Sequence, residues 1–128
     1  MKIAVVRECH PQERRVALVP ESCDKLVRAG FDIGIESGAG AGAGYGDASY
    51  RVVDADIETD PRALVQSADI LLRVNPPSNL DGRSEVDWIQ PSTIIVGSLM
   101  PLRHPREMEA LAKTGAIAFS TDAIPTRC

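Results

Sequence analysis

The sequence predicts an α/β domain with an open parallel sheet and helices on both faces. Compact apolar runs recur along the chain, segments of helical period separate them, and the connections are short. The length of 128 residues suits one domain, 1–128, with a single substantial core.

The elements can be justified in order. Residues 2–6, KIAVV, form the first buried strand. In PESCDKLVRAG, Pro20 suits the first position of a helix, and Glu21 and Asp24 complement its positive end. Cys23, Leu26 and Val27 make an apolar stripe, and Gly30 can stop the helix. FDIGIE (31–36) alternates apolar and polar residues, which predicts a strand with one more exposed face. After a glycine-rich stretch, DASYRVVD leaves room for a helix of two turns capped by Asp47, followed by ADIE. Asp60 and Pro61 open a helix over PRALVQS, and DILLRV (69–74) is the next buried strand. Ser84 and Asp87 open a short helix, SEVDWIQ, ended by Pro91. TIIVGSL (93–99) is a strand, PREMEALAKTG repeats the Pro-to-Gly helix design from Pro105 to Gly115, and AIAF (116–119) closes the series.

Composition excludes several functions. A formal net charge of -4 with scattered basic residues gives no footprint for nucleic acid. The longest uncharged stretch, 90–102, contains prolines and is too short for a bilayer span, so no direct membrane insertion is expected. Cys9, Cys23 and Cys128 cannot all pair within one chain. No signal-like segment follows Met1, and a reducing cytoplasm is the expected location. No metal-ligand spacing occurs. Cys9 with His10 or His104 lacks a fixed orienting acid, so no catalytic or metal residue is assigned.

The stretch ESGAGAGAGYGD (36–47) needs separate treatment. Gly38, Gly40 and Ala43 match a loose GxGxxA fingerprint, and Glu58 stands at the distance of a ribose-binding acid. That motif works by aiming the first amides of a long helix at a pyrophosphate. Here the glycines continue through Gly44 and Gly46, leaving no room for a crossover helix from Gly40. The expectation is a turn at the carboxyl edge of the second strand, with glycine allowing close backbone approach. The carboxylates of VDADIETD (53–60) read as a solvated junction, and Trp88 as a packing residue.

Arg15 and Arg73 are the candidate site residues. One follows the first strand and the other lies near the carboxyl end of DILLRV, the edge where open α/β sheets bind ligands. Converging there, two guanidinium groups could hold a carboxylate or phosphate. Alternatively each makes an ordinary ion pair, with Glu13 or Asp69 for example.

MKIAVVRECHPQERRVALVPE, LVRAGFDIGIESGAGAGAGYGD, ADILLRVNPP and TIIVGSLMPLRHPREMEALAKTGAIAFSTDAIP together resemble one known module. It is the N-terminal domain shared by alanine dehydrogenases and the alpha subunit of proton-translocating nicotinamide nucleotide transhydrogenase. The resemblance implies a flavodoxin-like three-layer sandwich with strand order 2-1-3-4-5 or its extension. It also implies that the dinucleotide fingerprint belongs to a second, NAD-binding Rossmann domain beyond this chain. NAD(H) would then bind the full-length protein, with NADP as the second nucleotide, and not bind this chain tightly by itself. Implied partners are the rest of the alpha subunit, membrane-embedded transhydrogenase subunits and a second copy in a homodimer. The implied location extends to the cytoplasmic face of the inner membrane.

The branch rests on particular residues. Similar alanine dehydrogenases grip the substrate carboxylate with the arginine matching Arg15, usually have lysine at the position of Arg73, and place a catalytic histidine where this chain has Met100. Methionine cannot shuttle a proton, which favours the transhydrogenase branch. After DAIP the transhydrogenase pattern continues through an arginine into a segment shaping the nicotinamide site. Here Thr126, Arg127 and Cys128 follow, implying a truncation or a stand-alone domain. The alternatives are a fragment of an alanine dehydrogenase-like enzyme and a non-catalytic binding or dimerisation module.

Overall fold

The structure, a computed structural model, describes residues 1–9, 12–75, 77, 85–98 and 105–121. The readings placed on His10, Ser84, Met100, His104 and the terminal 126–128 lie outside the described residues. Strands β1 (Lys2–Val5), β2 (Asp32–Glu36), β3 (Asp56–Glu58), β4 (Ile70–Arg73), β5 (Ile94–Gly97) and β6 (Ile117–Ser120) alternate with helices. These are α1 (Pro20–Arg28), α2 (Asp47–Arg51), α3 (Pro61–Ser67), α4 (Glu85–Trp88) and α5 (Pro105–Ala112).

All six strands are parallel, in the order β3-β2-β1-β4-β5-β6. This is the expected five-strand order extended at one edge by the short β3. The chain winds outward from β1 through β2 to β3, then crosses back to place β4 on the other side of β1. Parallel neighbours need such crossovers, which is why a helix or helical turn follows every strand but the last.

Local chemistry sets the helix ends. Pro20 stands at the first turn of α1 and Gly30 follows it with φ of 98°. Asp60 caps α3 by accepting from the amides of Arg62 and Ala63, so this end of the acidic stretch is a helix start. Asp47 does not cap α2. Gly46 holds the cap position, and the Asp47 carboxylate turns back to Ser37 and Gly38.

Two apolar cores flank the sheet. On one face Leu64, Val65, Ile89 and Leu111 pack against Ala4, Val6, Leu71 and Ile95, with Trp88 partly buried among them. On the other, Cys23 and Tyr50 pack with Ile3, Val5, Ile33 and Ile35. Each fully buried aliphatic side chain contributes roughly 1.5–3 kcal/mol. Strand β2 differs from its alternating pattern, because Ile33 to Glu36 are all buried. β3 makes it an internal strand, and Leu64 lies so close to Gly34 that a Cβ there would come within 2.7 Å.

Candidate ligand cleft at the carboxyl edge of the sheet

The switch in winding direction falls between β1 and β4, and their carboxyl ends flank a crevice. In open α/β sheets this is where ligands sit, because adjoining loops leave in opposite directions. Glu8 spans the crevice. Its buried carboxylate accepts from the amides of Val74 at 3.1 Å and Asn75 at 3.0 Å, tying the exit of β1 to that of β4.

Arg73 lies inside this tie, with its side chain 1% exposed. Its Nη2 is 3.4 Å from Glu8, its Nη1 is 3.1 Å from Glu85, and its Nε donates to the Asn75 carbonyl at 3.1 Å. Its ion-pair partners are therefore Glu8 and Glu85. Asp69 instead accepts from the Lys2 amide. A guanidinium held between two buried carboxylates organises the strand ends and has little left to offer a ligand.

Arg15 is placed differently. Its side chain is 71% exposed, and Glu13 receives its Nε at 2.9 Å and its Nη2 at 2.8 Å. This is the ion pair anticipated as the ordinary alternative, yet it uses only some of the five-donor fork. The Arg15 hydrogen bonds hold the Glu13 carboxyl down at about 2, and Glu13 in turn raises the Arg15 pKa. Asn75 Nδ2 also donates to Glu13 at 2.9 Å and to Glu8 at 3.4 Å. A continuous polar chain thus runs Arg15–Glu13–Asn75–Glu8–Arg73–Glu85. Sequence reasoning found both arginines and considered Glu13, but missed Glu8, Asn75 and Glu85.

Both arginines line one cavity of about 360 Å³, with Leu72, Val96, Ser98 and Thr121. Arg15 also borders a recess of about 250 Å³, together with Arg7, Arg14, Gly38 and Gly42. Its polar rim and apolar floor suit a small anionic or polar group. Another opening of about 500 Å³, between α4 and α5, is lined by Val86, Ile89, Arg106 and Lys113, away from the strand ends.

The glycine stretch forms the far side of the recess and folds upon itself. The amides of Gly38, Ala39, Ala41, Ala43, Gly44 and Tyr45 all donate within the stretch or to Asp47. Residues Ala41–Ala43 form a single 3-10 turn, and the following helix α2 spans only five residues. Few donors therefore remain for a phosphate. Glycine serves close packing here. A Cβ on Gly40 would lie 2.6 Å from the Tyr50 hydroxyl, and one on Gly42 would lie 3.3 Å from the Arg14 backbone. Tyr50 donates to the Leu18 carbonyl at 2.8 Å, so the stretch clasps the loop that carries Arg15. Burial pushes the Tyr50 hydroxyl up to about 12 and the Cys23 thiol up to about 11, leaving both neutral at physiological pH. Cys9 and Cys23 are buried free thiols. Among the described residues no three His, Cys, Asp or Glu side chains gather as a metal site.

Fold and crevice together define the class, an open α/β domain that receives ligands at the carboxyl edge of its sheet. Within that class the chain belongs to the alanine dehydrogenase/PNT family, whose N-terminal domain matches residues 4–127. It is 32% identical over 125 residues to an NAD(P) transhydrogenase alpha subunit of Rickettsia prowazekii, covering 98% of this chain and 33% of that one. The solved transhydrogenase of Sinorhizobium meliloti superposes with a TM-score of 0.90 at 28% identity, over 99% of this chain and 36% of the other. A solved L-alanine dehydrogenase gives 0.86 at 30% identity, over 94% and 32%. The chain therefore spans about a third of the length of these relatives.

Proposed function

We propose that this chain is the first domain of an NAD(P) transhydrogenase alpha subunit and forms one wall of its NAD(H) cleft. In the assembled protein, hydride passes between NADH and NADP+, coupled to proton passage through membrane-embedded partner subunits. This domain contributes the Arg15 edge of the cleft. A second domain of the longer polypeptide carries the dinucleotide-binding helix. No helix among the described residues is long and apolar enough to cross a membrane, so proton passage belongs to the partners.

The carrying observation is the match across 98% of this chain to a relative named as a transhydrogenase alpha subunit. The site's geometry is consistent with it. The glycine stretch has its amides engaged internally, while Arg15 stands exposed at the winding switch. Bound at this edge, a nucleotide would meet the exposed guanidinium of Arg15, and the Glu8–Arg73–Glu85 group would keep the two strand exits in register.

Calorimetric titration of NADH into the chain tests the reading. It predicts no saturable site in the micromolar range, where binding free energy would reach about -8 kcal/mol. A micromolar site would mean that the cleft is complete without a second domain.

The alanine dehydrogenase reading shares the fold and is separated by chemistry at Met100, which has no proton to donate or accept. Oxidation of L-alanine with NAD+ by a polypeptide joining this domain to an NAD-binding domain would favour that reading.

A further inference from the structure

The two faces of the sheet are covered unequally. On one face α3, α4 and α5 bury Leu71 and Ile95 completely, both 0% exposed. On the opposite face the packed core of α1 and α2 includes Ile70 and Leu72 but stops there. Register then aligns two apolar rows across the remaining strands, Ile70–Ile94–Ile117 and Leu72–Val96–Phe119. Exposure grows along them until Ile117 is 54% and Phe119 is 53% exposed. No charged side chain interrupts either row. A parallel sheet is normally covered on both faces, so this half-face lacks its layer among the described residues.

Its size indicates what fits. Strands lie about 4.8 Å apart and rise about 3.3 Å per residue, so three strands of four residues present a footprint of roughly 200 Å². A stable protein–protein interface needs about 800 Å² from each partner. A helix is about 10–12 Å across, close to the width of the three strands. The chain also spans only a third of its relatives, so the family polypeptide has ample length to supply such an element.

We propose that the β4–β6 half-face is the seat of one amphipathic helix from the remaining two-thirds of the family polypeptide. Its apolar face packs across both rows, with Phe119 and Ile117 as the outer anchors. Because Leu72 and Val96 also line the Arg15 cavity, the seated helix closes the open flank of the cleft. The inference rests on family membership and is independent of the transhydrogenase reading.

The test is a methyl NMR titration of this chain with the portion of the Rickettsia prowazekii polypeptide that it does not match. The expected result is saturable shifts of the Ile70, Ile94 and Ile117 methyl signals while Ile95, on the opposite face, stays fixed. Phe119→Asp should weaken the binding about tenfold or more, and Ile117→Ser should act in the same direction. Both sites are exposed enough for the fold to persist, which circular dichroism verifies. Arg15→Ala should leave these methyl shifts unchanged, separating this surface from the nucleotide cleft. Shifts confined to the Arg15 loop, or none at all, would overturn the proposal. So would a dimer of the chain alone that Phe119→Asp splits, since the occupant would then be a second copy.

Discussion

Arg15 and Arg73 line one cavity, yet their surroundings give them opposite capacities. Arg73 is enclosed by Glu8, Glu85 and the Asn75 carbonyl, whereas Arg15 meets one carboxylate and otherwise faces solvent. Removing a guanidinium from between buried carboxylates strands their charges, while an exposed pair is screened by water. Position on the sheet explains the contrast. Arg73 ends an internal strand, and Arg15 sits in the loop beyond one. Residues of the same type at the same edge therefore divide into a fastener and a presented group.

The largest effect should come from breaking the fastener. Arg73→Met should cost about 3–5 kcal/mol in urea denaturation, because Glu8 and Glu85 lose their cation. Arg15→Met should shift stability by about 0.5 kcal/mol or less. Comparable losses in the two variants would erase the distinction.

The clasp is next. Gly40→Ala should cost about 1–3 kcal/mol, since its Cβ would meet the Tyr50 side chain and the Tyr45 carbonyl within 2.8 Å. Tyr50→Phe should cost about 1 kcal/mol through the lost bond to the Leu18 carbonyl, and more if that carbonyl is left without a replacement. If Gly40→Ala were harmless, the stretch would not be packed as described.

The smallest effect sharpens the Arg15 side. The Glu13 carboxyl is lowered from 4.5 to about 2 in the folded chain, mainly by its Arg15 hydrogen bond. Its contribution is therefore complete above pH 4.5 and disappears as pH falls through about 2. Glu13→Gln should flatten that region of the stability profile, and an unchanged slope would mean that the pair is not formed in solution.

Much of this organisation was readable from residues alone. The apolar runs in β1, β4 and β5 and the Pro-initiated helices α1, α3 and α5 follow from local chemistry, and each appears where expected. The fully buried β2 was not readable, because Gly34 is silent in an alternating pattern and only Leu64, thirty residues on, reveals its packing. The tie at Arg73 was hidden for the same reason. Glu8 and Glu85 lie far apart in sequence, and parallel winding alone brings them to one guanidinium. Asp47 was a fair candidate cap by type, but the turn at Gly38 gave its carboxylate nearer donors. The family match supplies what no single residue announces, that this domain is one piece of a longer polypeptide.

The most direct test is an amide NMR titration of the chain with NADH. Small shifts confined to residues 12–17 and 72–75, unsaturated at about 1 mM and abolished by Arg15→Met, are the predicted result. Saturable micromolar shifts on the amides of residues 38–44 would contradict the account, because the glycine stretch would then be holding the nucleotide.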